Sequence, residues 1–206
     1  MEYRLRTPPI AQEDVEKLRV GGDTIYVSGI IVTARDSAHV KMLEELRSGR
    51  GGLPVDLRGG GAIYHAGPVA LRSGGDKWRI LSAGPTTSAR MEEFEAEVIE
   101  RTGVKLIIGK GGMGDKTSNA MKTHKAAYAV FPGGAGVLAA QSIKEVLGVH
   151  WLDELGMAEA MWVLRVEDFG PMTVAIDSTG SNLYADLKMT VRKNEEAALK
   201  EFRWRP

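Results

Sequence analysis

The sequence predicts an α/β domain, and three observations support this prediction. A hydrophobic strand, a glycine-rich turn and a helix follow one another three times between residues 78 and 147. The apolar run over 104–108 is uninterrupted, which is typical of a strand buried on both faces of a parallel sheet. The segments after the turns carry apolar residues at helical spacing. Alternation of this kind is the pattern of an α/β core.

The first part of the chain predicts one further strand and helix. A short polar helix is expected before the turn signal at 21–23. The run over 24–32 is rich in β-branched residues and predicts a strand. Apolar residues then recur at helical spacing over 36–46, and the glycines at 49–52 end that helix.

The three repeated units define the middle of the chain. A short apolar segment at 63–66 leads into them. Their strands are expected at 78–81, 104–108 and 126–131, their turns at 82–85, 109–112 and 132–136, and their helices at 91–101, from 115 onward and at 137–147. Beyond them, 172–176 and 182–187 predict two strands joined by a tight turn, so additional β structure is expected at both ends of the α/β core.

Composition and charge exclude several classes of function. Lys+Arg and Asp+Glu both number 27, so the formal net charge is zero and gives no electrostatic case for nucleic acid or an anionic membrane. The absence of cysteine removes disulfides, thiolate catalysis and thiolate-held clusters from this chain. No apolar run has the form of a signal peptide or approaches the ~18 residues of a membrane span. A cytoplasmic protein is the expectation.

The turns before the helices are candidate anion sites, because free N–H groups and the helix dipole both favour negative charge there. Thr86, Thr87 and Ser88 add hydroxyls, and Arg90 can grip a carboxylate through two parallel hydrogen bonds. Lys110 lies among glycines and can act as a point charge. Two ordinary explanations remain open: the hydroxyls as helix caps, and the lysine as a solvated side chain. The turn at 133–136 has no charged residue and favours close packing.

A second group lies just past the first long strand. Arg35 can take a second carboxylate, and His39 follows it at a spacing that allows both to share a helix face. Asp36 offers His39 a local partner, and a purely structural role for this histidine remains open. The other histidines show no spacing typical of metal ligands and are interpreted as structural or solvated: His65, His124 and His150. Five glutamates form a charged helix face that we expect to be solvated: Glu92, Glu93, Glu95, Glu97 and Glu100.

Three stretches taken together resemble the β subunit of the class I (iron–sulfur) fumarate hydratase and L(+)-tartrate dehydratase family. They are TARDSAH at 33–39, SAGPTTSARM at 82–91 and IGKGGM at 108–113. Supporting matches lie at 22–23, 53–57 and 177–184. Each motif alone is modest, but their order and spacing over roughly 20–187 are specific.

The resemblance implies a fold, a reaction and a partner. The fold is a swivelling β/β/α three-layer domain that closes over an active site. The reaction is reversible hydration of fumarate to L-malate, or dehydration of L(+)-tartrate. A [4Fe-4S] cluster with one iron not bound by cysteine acts as the Lewis acid. In two-subunit members the cluster cysteines lie on an α subunit, so a cysteine-free β chain agrees with that division. An α2β2 assembly is expected.

The resemblance also implies residue roles. Arg35, Arg90 and Lys110 match the family's binders of substrate carboxylates, and Thr86 matches its proposed catalytic base. The alternative for Thr86 is that it caps the helix while a residue of the partner takes the proton. Supporting roles are expected for Asp36, His39, Thr87, Gly111 and Gly112. No metal ligand is expected in this chain.

The sequence therefore predicts three parts and an ordered set of functions. The parts are an N-terminal arm over 1–19, the β-subunit-like domain over 20–187 and a C-terminal tail over 188–206. Fumarate is preferred over tartrate as substrate because it is the commoner metabolic role. A module that binds carboxylate or phosphate without catalysis is the alternative from another functional class.

Overall fold

A mixed seven-stranded sheet with helices packed against it organises the chain, in a computed structural model that describes residues 1–49, 52–75 and 77–201. The predicted α/β class is confirmed. The strands are β1 Glu2–Thr7, β2 Thr24–Thr33, β3 Ala62–Tyr64, β4 Val69–Arg72, β5 Trp78–Ser82, β6 Leu106–Gly109, β7 Ala127–Val130, β8 Ile143–His150 and β9 Met161–Ile176. The helices are α1 Gln12–Lys17, α2 Asp36–Ser48, α3 Glu92–Thr102, α4 Asp115–His124, α5 Gly136–Ser142, α6 Leu152–Leu155 and α7 Leu183–Glu201, with a 3₁₀ turn at Ser88–Met91 before α3.

The pairing of the strands closes on itself. The sheet has the order β1-β2-β3-β6-β7-β9-β8, and β9 also pairs with β2. Strands β1, β2, β3, β6 and β7 run parallel to one another. Strand β9 runs antiparallel to β2, β7 and β8, in a register that sets Val32 opposite Val163. Strands β2, β3, β6, β7 and β9 therefore form a closed ring of hydrogen-bonded neighbours.

Two hydrophobic clusters fill the two sides of this ring. Strand β6 is buried along its whole length, as its uninterrupted apolar sequence predicts. One cluster centres on aromatic rings, with the Tyr64 and Phe169 centroids 5.1 Å apart. The other lies under helices α2, α3 and α4 and includes Met42 and Val98. Fully burying one such aliphatic side chain contributes roughly 1.5–3 kcal/mol.

All three predicted strand–turn–helix units are observed, and two of them have their strand in the main sheet. Strand β6 leads through a glycine-rich turn to α4, and β7 leads through another to α5. The strand of the first unit is also observed, as β5, but it pairs with β4 in a separate two-stranded sheet and does not belong to the main sheet. The helix of this unit, α3, is where the apolar spacing predicts it.

Two predicted elements near the C-terminus are wrong. The segment 182–187 is not a strand but the start of α7, because the Asn182 side chain accepts the N–H groups of Tyr184 and Ala185 and so caps a helix. The helix predicted over 137–147 stops at Ser142. The chain continues as β8, which pairs along the edge of the long strand β9.

The segment treated as an N-terminal arm contributes to the sheet. Strand β1 pairs with β2 from Glu2 opposite Thr24 to Thr7 opposite Gly29. Leu5 and Val15 from this segment are buried in the same cluster as the ring of strands. Within the described ranges, no helix is long and apolar enough to cross a bilayer.

Candidate active site

The candidate site lies where three neighbouring parallel strands end. Strands β2, β3 and β6 are adjacent in the sheet and lead directly to Arg35, His65 and Lys110. The carboxyl ends of parallel strands meet at one edge, which is where α/β domains bind ligands. The segment that precedes α3 crosses this edge, since the Thr86 N–H donates to the His65 carbonyl at 2.7 Å and Thr87 pairs with Lys110. All the predicted loops therefore converge here.

Arg90 joins Thr86 to Asp36. Its Nε and Nη2 atoms donate to the two oxygens of Asp36 at 2.9 and 2.8 Å, a fork that fits a carboxylate. The same Nη2 atom donates to the hydroxyl oxygen of Thr86 at 2.8 Å. The hydrogen bond from the Arg90 guanidinium holds the pKa of Asp36 below its usual range, against the smaller opposing effect of burial. Thr86 thus has its oxygen in contact with a permanent positive charge.

Lys110 is fixed in place through its main chain. Its N–H donates to the Ser88 hydroxyl at 3.1 Å, and its carbonyl accepts the Ser88 N–H at 3.0 Å. Gly109 permits this approach, because a β carbon there would lie 1.8 Å from the Ser88 Oγ. The lysine stem passes over Gly133. Within the described part of the chain, no carboxylate lies within 4.0 Å of the Lys110 ammonium.

Arg35 faces Glu159 across the edge of the site. The Nε of Arg35 lies 3.2 Å from Glu159 Oε1, and Glu159 Oε2 accepts the N–H of Ser37 at 2.9 Å. The contact of Arg35 is an ion pair and does not have hydrogen-bond alignment. A β carbon at Gly67 would lie 2.8 Å from Arg35 Nη1, so this glycine leaves room for the guanidinium. Only a quarter of the arginine side chain is exposed, at 25%.

A buried cluster of ionisable groups lies beneath these residues. Glu95 Oε2 lies 2.9 Å from His65 Nε2 and 3.4 Å from His39 Nε2, and all three side chains are 0% exposed. Burial by itself would raise the pKa of Glu95, but the adjacent His65 and His39 lower it to about 2. Burial lowers the pKa of His65. For His39, burial is outweighed by the charge and proximity of Glu95, and its pKa is raised.

The same cluster is where a metal ion has ligand atoms available. Among the described residues, His39, His65 and Glu95 form the one group whose donor atoms lie within 4.8 Å of one another. They come from α2, the end of β3 and α3, so their separation along the chain hides this grouping. The expectation that this chain has no metal ligand stays a prediction.

The remaining predicted residues occupy supporting places. Thr87 is exposed and makes no side-chain capping hydrogen bond, so the capping role that sequence left open is not observed for it. Gly111 accepts the Tyr128 hydroxyl through its carbonyl at 2.8 Å. Gly112 packs under the ring of Tyr184, at the start of α7. His39 is turned toward the buried cluster and contacts Arg35 only through the Arg35 carbonyl, at 2.8 Å.

Sequence reasoning missed the roles of Glu95 and Glu92. Glu95 was expected to be solvated, and this is wrong because it points into the core at 0% exposure. The signal was in its spacing, since the buried residues of α3 are Glu95, Val98, Ile99 and Thr102, the stripe of an amphipathic helix. Glu92 is also not a free surface charge, because it accepts N–H groups at the start of α4.

The fold and the site define an α/β domain that gathers two arginines, a lysine and a threonine at one edge of its sheet. The chain belongs to the Fumarase C-terminus family, which matches residues 2–187. The β subunit of L(+)-tartrate dehydratase from Escherichia coli is 48% identical over 96% of this chain and 94% of its own length. A Methanocaldococcus jannaschii protein provisionally given the same name is 44% identical over 93% of this chain and 95% of its own length.

A longer relative carries the name of the other activity. A Geobacillus stearothermophilus protein provisionally named a class I fumarate hydratase is 41% identical over 87% of this chain. The match covers 33% of that protein's length. The predicted family resemblance is therefore confirmed for both branches, the fumarate hydratases and the tartrate dehydratases.

Proposed function

We propose that this chain is the β subunit of a two-subunit hydro-lyase that adds water to, or removes it from, a small dicarboxylate. The single observation that carries the proposal is the contact of Arg90 with both Thr86 and Asp36, beside Lys110. This arrangement places the Thr86 hydroxyl, the Arg90 guanidinium and the Lys110 side chain at the same edge of the sheet. The names of the relatives, which denote dehydratase and hydratase subunits, support the same reading.

Two substrates fit this arrangement. Reversible hydration of fumarate to L-malate is the reaction that we propose first, and dehydration of L(+)-tartrate is the second candidate. The second is favoured by a specific observation, because the relative named as a tartrate dehydratase subunit matches along nearly the whole length of both chains. Both substrates carry two carboxylates and differ by one hydroxyl, and we assign the pocket for that hydroxyl to the partner.

The partner supplies what this chain does not contain. The family resemblance implies a [4Fe-4S] cluster, but this chain has no cysteine to ligate one. The buried His39, His65 and Glu95 do not fit the role either, because their side chains are 0% exposed and face no substrate. We therefore assign the cluster to an α subunit, where its exposed iron supplies a Lewis acid for the leaving hydroxyl. An α2β2 assembly is part of the proposal.

The residues of this chain bind the substrate and move one proton. Arg35, Arg90 and Lys110 hold the carboxylates, since an arginine has five N–H donors and neither arginine uses all of them on its acidic neighbour. Thr86 removes the proton next to a carboxylate. A threonine hydroxyl is a weak base in water, so Thr86 acts as the alkoxide: its hydrogen passes to solvent beforehand, and the N–H of Arg90 directed at its oxygen stabilises the resulting negative charge. The alkoxide then takes the carbon-bound proton and becomes the hydroxyl, and in the hydration direction the hydroxyl returns that proton to carbon.

The proposal has a structural side as well. We propose that the ring of strands and its helices form the swivelling β/β/α three-layer domain of this family, over 20–187 with the arm at 1–19 attached. The tail at 188–206 extends α7 away from this domain in the part that is described. A cytoplasmic location completes the proposal.

Reconstitution with the partner is the test. The chain is combined anaerobically with an α subunit carrying the cluster, and kcat/KM is measured for fumarate, L-malate and L(+)-tartrate. Turnover of any of these that needs both chains supports the hydro-lyase, and the larger kcat/KM identifies the substrate. Full activity from this chain without a cluster would refute the two-subunit reading. Binding of dicarboxylate or phosphate without turnover in the complex would favour the non-catalytic module.

A further inference from the structure

We propose that Glu95 is a positioning residue that fixes the main chain at three substrate-facing groups at once: Arg35, Thr86 and Lys110. The inference rests on the proposed function for the roles of those three residues. The network that carries it is buried, and it is defined here as His39, Glu95, His65 and Ser88. No member of this network contacts the substrate in the proposed mechanism.

Glu95 stands at the centre of the network. Its Oε2 atom lies 2.9 Å from His65 Nε2 and 3.4 Å from His39 Nε2. Neither contact has the alignment of a hydrogen bond, so the attraction is mainly electrostatic. The two imidazole rings meet edge to face with centroids 5.2 Å apart. An uncompensated carboxylate at such a place is costly, and the two rings are what compensate it.

Each histidine connects Glu95 to the main chain of a residue in the candidate site. His39 Nδ1 lies 2.8 Å from the carbonyl oxygen of Arg35. His65 Nδ1 lies 2.9 Å from Ser88 Oγ, which in turn accepts the N–H of Lys110 at 3.1 Å. The carbonyl of His65 itself accepts the N–H of Thr86 at 2.7 Å. One carboxylate is therefore connected to three loops that are distant in sequence.

The contacts determine where the protons lie. A carbonyl only accepts, so His39 Nδ1 carries a proton, and its Nε2 carries a second one because it faces a carboxylate. Ser88 accepts from Lys110, and we assign its own hydrogen to the contact with His65 Nδ1, because burial lowers the pKa of His65 and favours a neutral ring. That leaves the single ring proton of His65 on Nε2, toward Glu95. The network then contains one imidazolium, one carboxylate and one neutral imidazole.

The electrostatics agree with this arrangement. The pKa of His39 is raised and that of His65 is lowered, with burial opposed by Glu95 in both cases. Asp36, at the start of α2, is the further charged group that acts on both rings. The buried charges of His39 and Glu95 cancel, which is the condition under which ions are retained in a protein interior.

A bound divalent metal is the other arrangement for these three side chains. The observations favour the protonated network, because a closed structural site has four protein ligands and these are three, with no fourth His, Cys, Asp or Glu in the group among the described residues. A divalent ion with one carboxylate would also leave a net buried charge, which the imidazolium arrangement avoids.

Replacement of Glu95 in the reconstituted complex tests the proposal. Glu95→Gln keeps the volume and removes the charge, and we expect kcat/KM to fall about 10- to 100-fold, as for other residues that orient a reactive group from behind. KM should rise and kcat should fall together, because carboxylate binders and base are displaced at once. Glu97→Gln, on the same helix but paired at the surface with Arg47 and Arg101, is the matched control and should keep wild-type kinetics.

Two additional variants separate positioning from general loss of structure. Ser88→Ala removes the hydroxyl that joins His65 Nδ1 to the Lys110 N–H, leaves the contacts of Glu95 in place, and should raise KM with a smaller change in kcat. Combining Ser88→Ala with Glu95→Gln should cost less than the sum of the two single changes, because both act through His65. Wild-type kcat/KM for a folded Glu95→Gln variant would overturn the proposal, as would strict additivity of the two changes.

A spectroscopic readout works without any turnover. The chain has four histidines, and ¹⁵N labelling of their rings in the complex reports which nitrogens carry protons. We expect one buried ring, His39, to stay doubly protonated above the ordinary histidine pKa of about 6.5 and the other, His65, to stay neutral below it, and both features should vanish in Glu95→Gln. If the wild-type complex turned over no dicarboxylate, the proposed function would be refuted. The ¹⁵N measurement would still show whether the two buried histidines carry the assigned protons. Ordinary titration of all four rings, or a divalent metal at one per chain that Glu95→Gln removes, would overturn the proposal.

Discussion

The guanidinium of Arg90 donates to the hydroxyl oxygen of Thr86 across 2.8 Å. The two residues lie four apart in sequence, with Thr86 just before the 3₁₀ turn that contains Arg90, and the same guanidinium also donates to Asp36. The contact leaves the hydroxyl hydrogen of Thr86 available and places positive charge where an alkoxide would form. It therefore connects substrate binding and proton removal, and substitutions at each residue should have distinguishable effects.

Thr86→Val should abolish nearly all turnover while the fold stays intact. Valine has the shape of threonine without the hydroxyl, so a hydroxyl that takes the proton has no substitute. Thr86→Ser keeps the oxygen and should retain measurable kcat. The measurement is kcat for both variants in the reconstituted complex, with circular dichroism to compare the folds. A Thr86→Val variant within a few-fold of wild-type kcat would move the search for the base to the partner chain.

Arg90→Ala should lower kcat/KM by at least about 30-fold. Truncating a charged partner of a carboxylate costs about 2–5 kcal/mol, and each 1.4 kcal/mol is a factor of about ten. The variant also removes the donor to Thr86, so kcat should fall as well as KM rise. Arg101→Ala, at the far end of α3 and paired with Glu97, serves as the control. Unchanged kcat/KM in Arg90→Ala would exclude this arginine from the site.

Gly67→Ala should weaken substrate binding by displacing Arg35. A β carbon at this position would lie 2.3 Å from the carbonyl oxygen of Ala158 and 2.8 Å from Arg35 Nη1, so the guanidinium must move. We expect KM to rise several-fold with a smaller change in kcat. Gly148→Ala is the matched control, because its nearest neighbour would be the ring of His150 at 3.6 Å, an ordinary contact. Equal KM values for the two variants would contradict the placement of Arg35 in the site.

Acid should destabilise the fold through Glu95. Its carboxyl has its pKa lowered from 4.5 to about 2, because the adjacent histidines outweigh the effect of burial. A group whose pKa is lower in the folded state stabilises the protein above its unfolded pKa and loses that contribution as the pH falls toward the folded value. The free energy of unfolding should therefore decrease between pH 4.5 and about 2.

Denaturant unfolding of the full chain at a series of pH values measures this effect. Glu95→Gln should be less stable than wild type near neutral pH and should show a flatter pH dependence in the acid window. Glu100→Gln, on the exposed side of α3, should follow the wild-type curve. Parallel curves for wild type and Glu95→Gln would show that this carboxylate is not ionised in the folded chain.

The sequence predicted the elements with strong local signals. The apolar run of β6 and the helical spacing of α2 and α3 lie where the residues place them. The errors arose where pairing with another strand decided the outcome. Residues after Ser142 became β8 because β9 offers an edge, and β5 left the main sheet because β4 is its neighbour. No local pattern in either segment carries that information.

The substrate-facing residues of the candidate site were predictable from the sequence, and the buried residues that support them were not. Arg35, Thr86, Arg90 and Lys110 stand at strand ends and helix starts, where sequence motifs and topology both direct attention. Glu95 was missed because a glutamate among four others on a helix is usually solvated. Its partners, His39 and His65, become apparent only when α2, α3 and the end of β3 are packed together in the fold.

The pairing of β2 with β9 also determines when the domain can form during synthesis. Strand β2 ends at Thr33 and its antiparallel partner begins at Met161, so most of the chain is translated between them. At the ribosomal rate of about 5–20 residues per second, β2 waits on the order of ten seconds for this neighbour. The edge of β7 waits as well. A nascent chain halted before β9 therefore exposes two unpaired strand edges, and we expect chaperones to hold it at that stage.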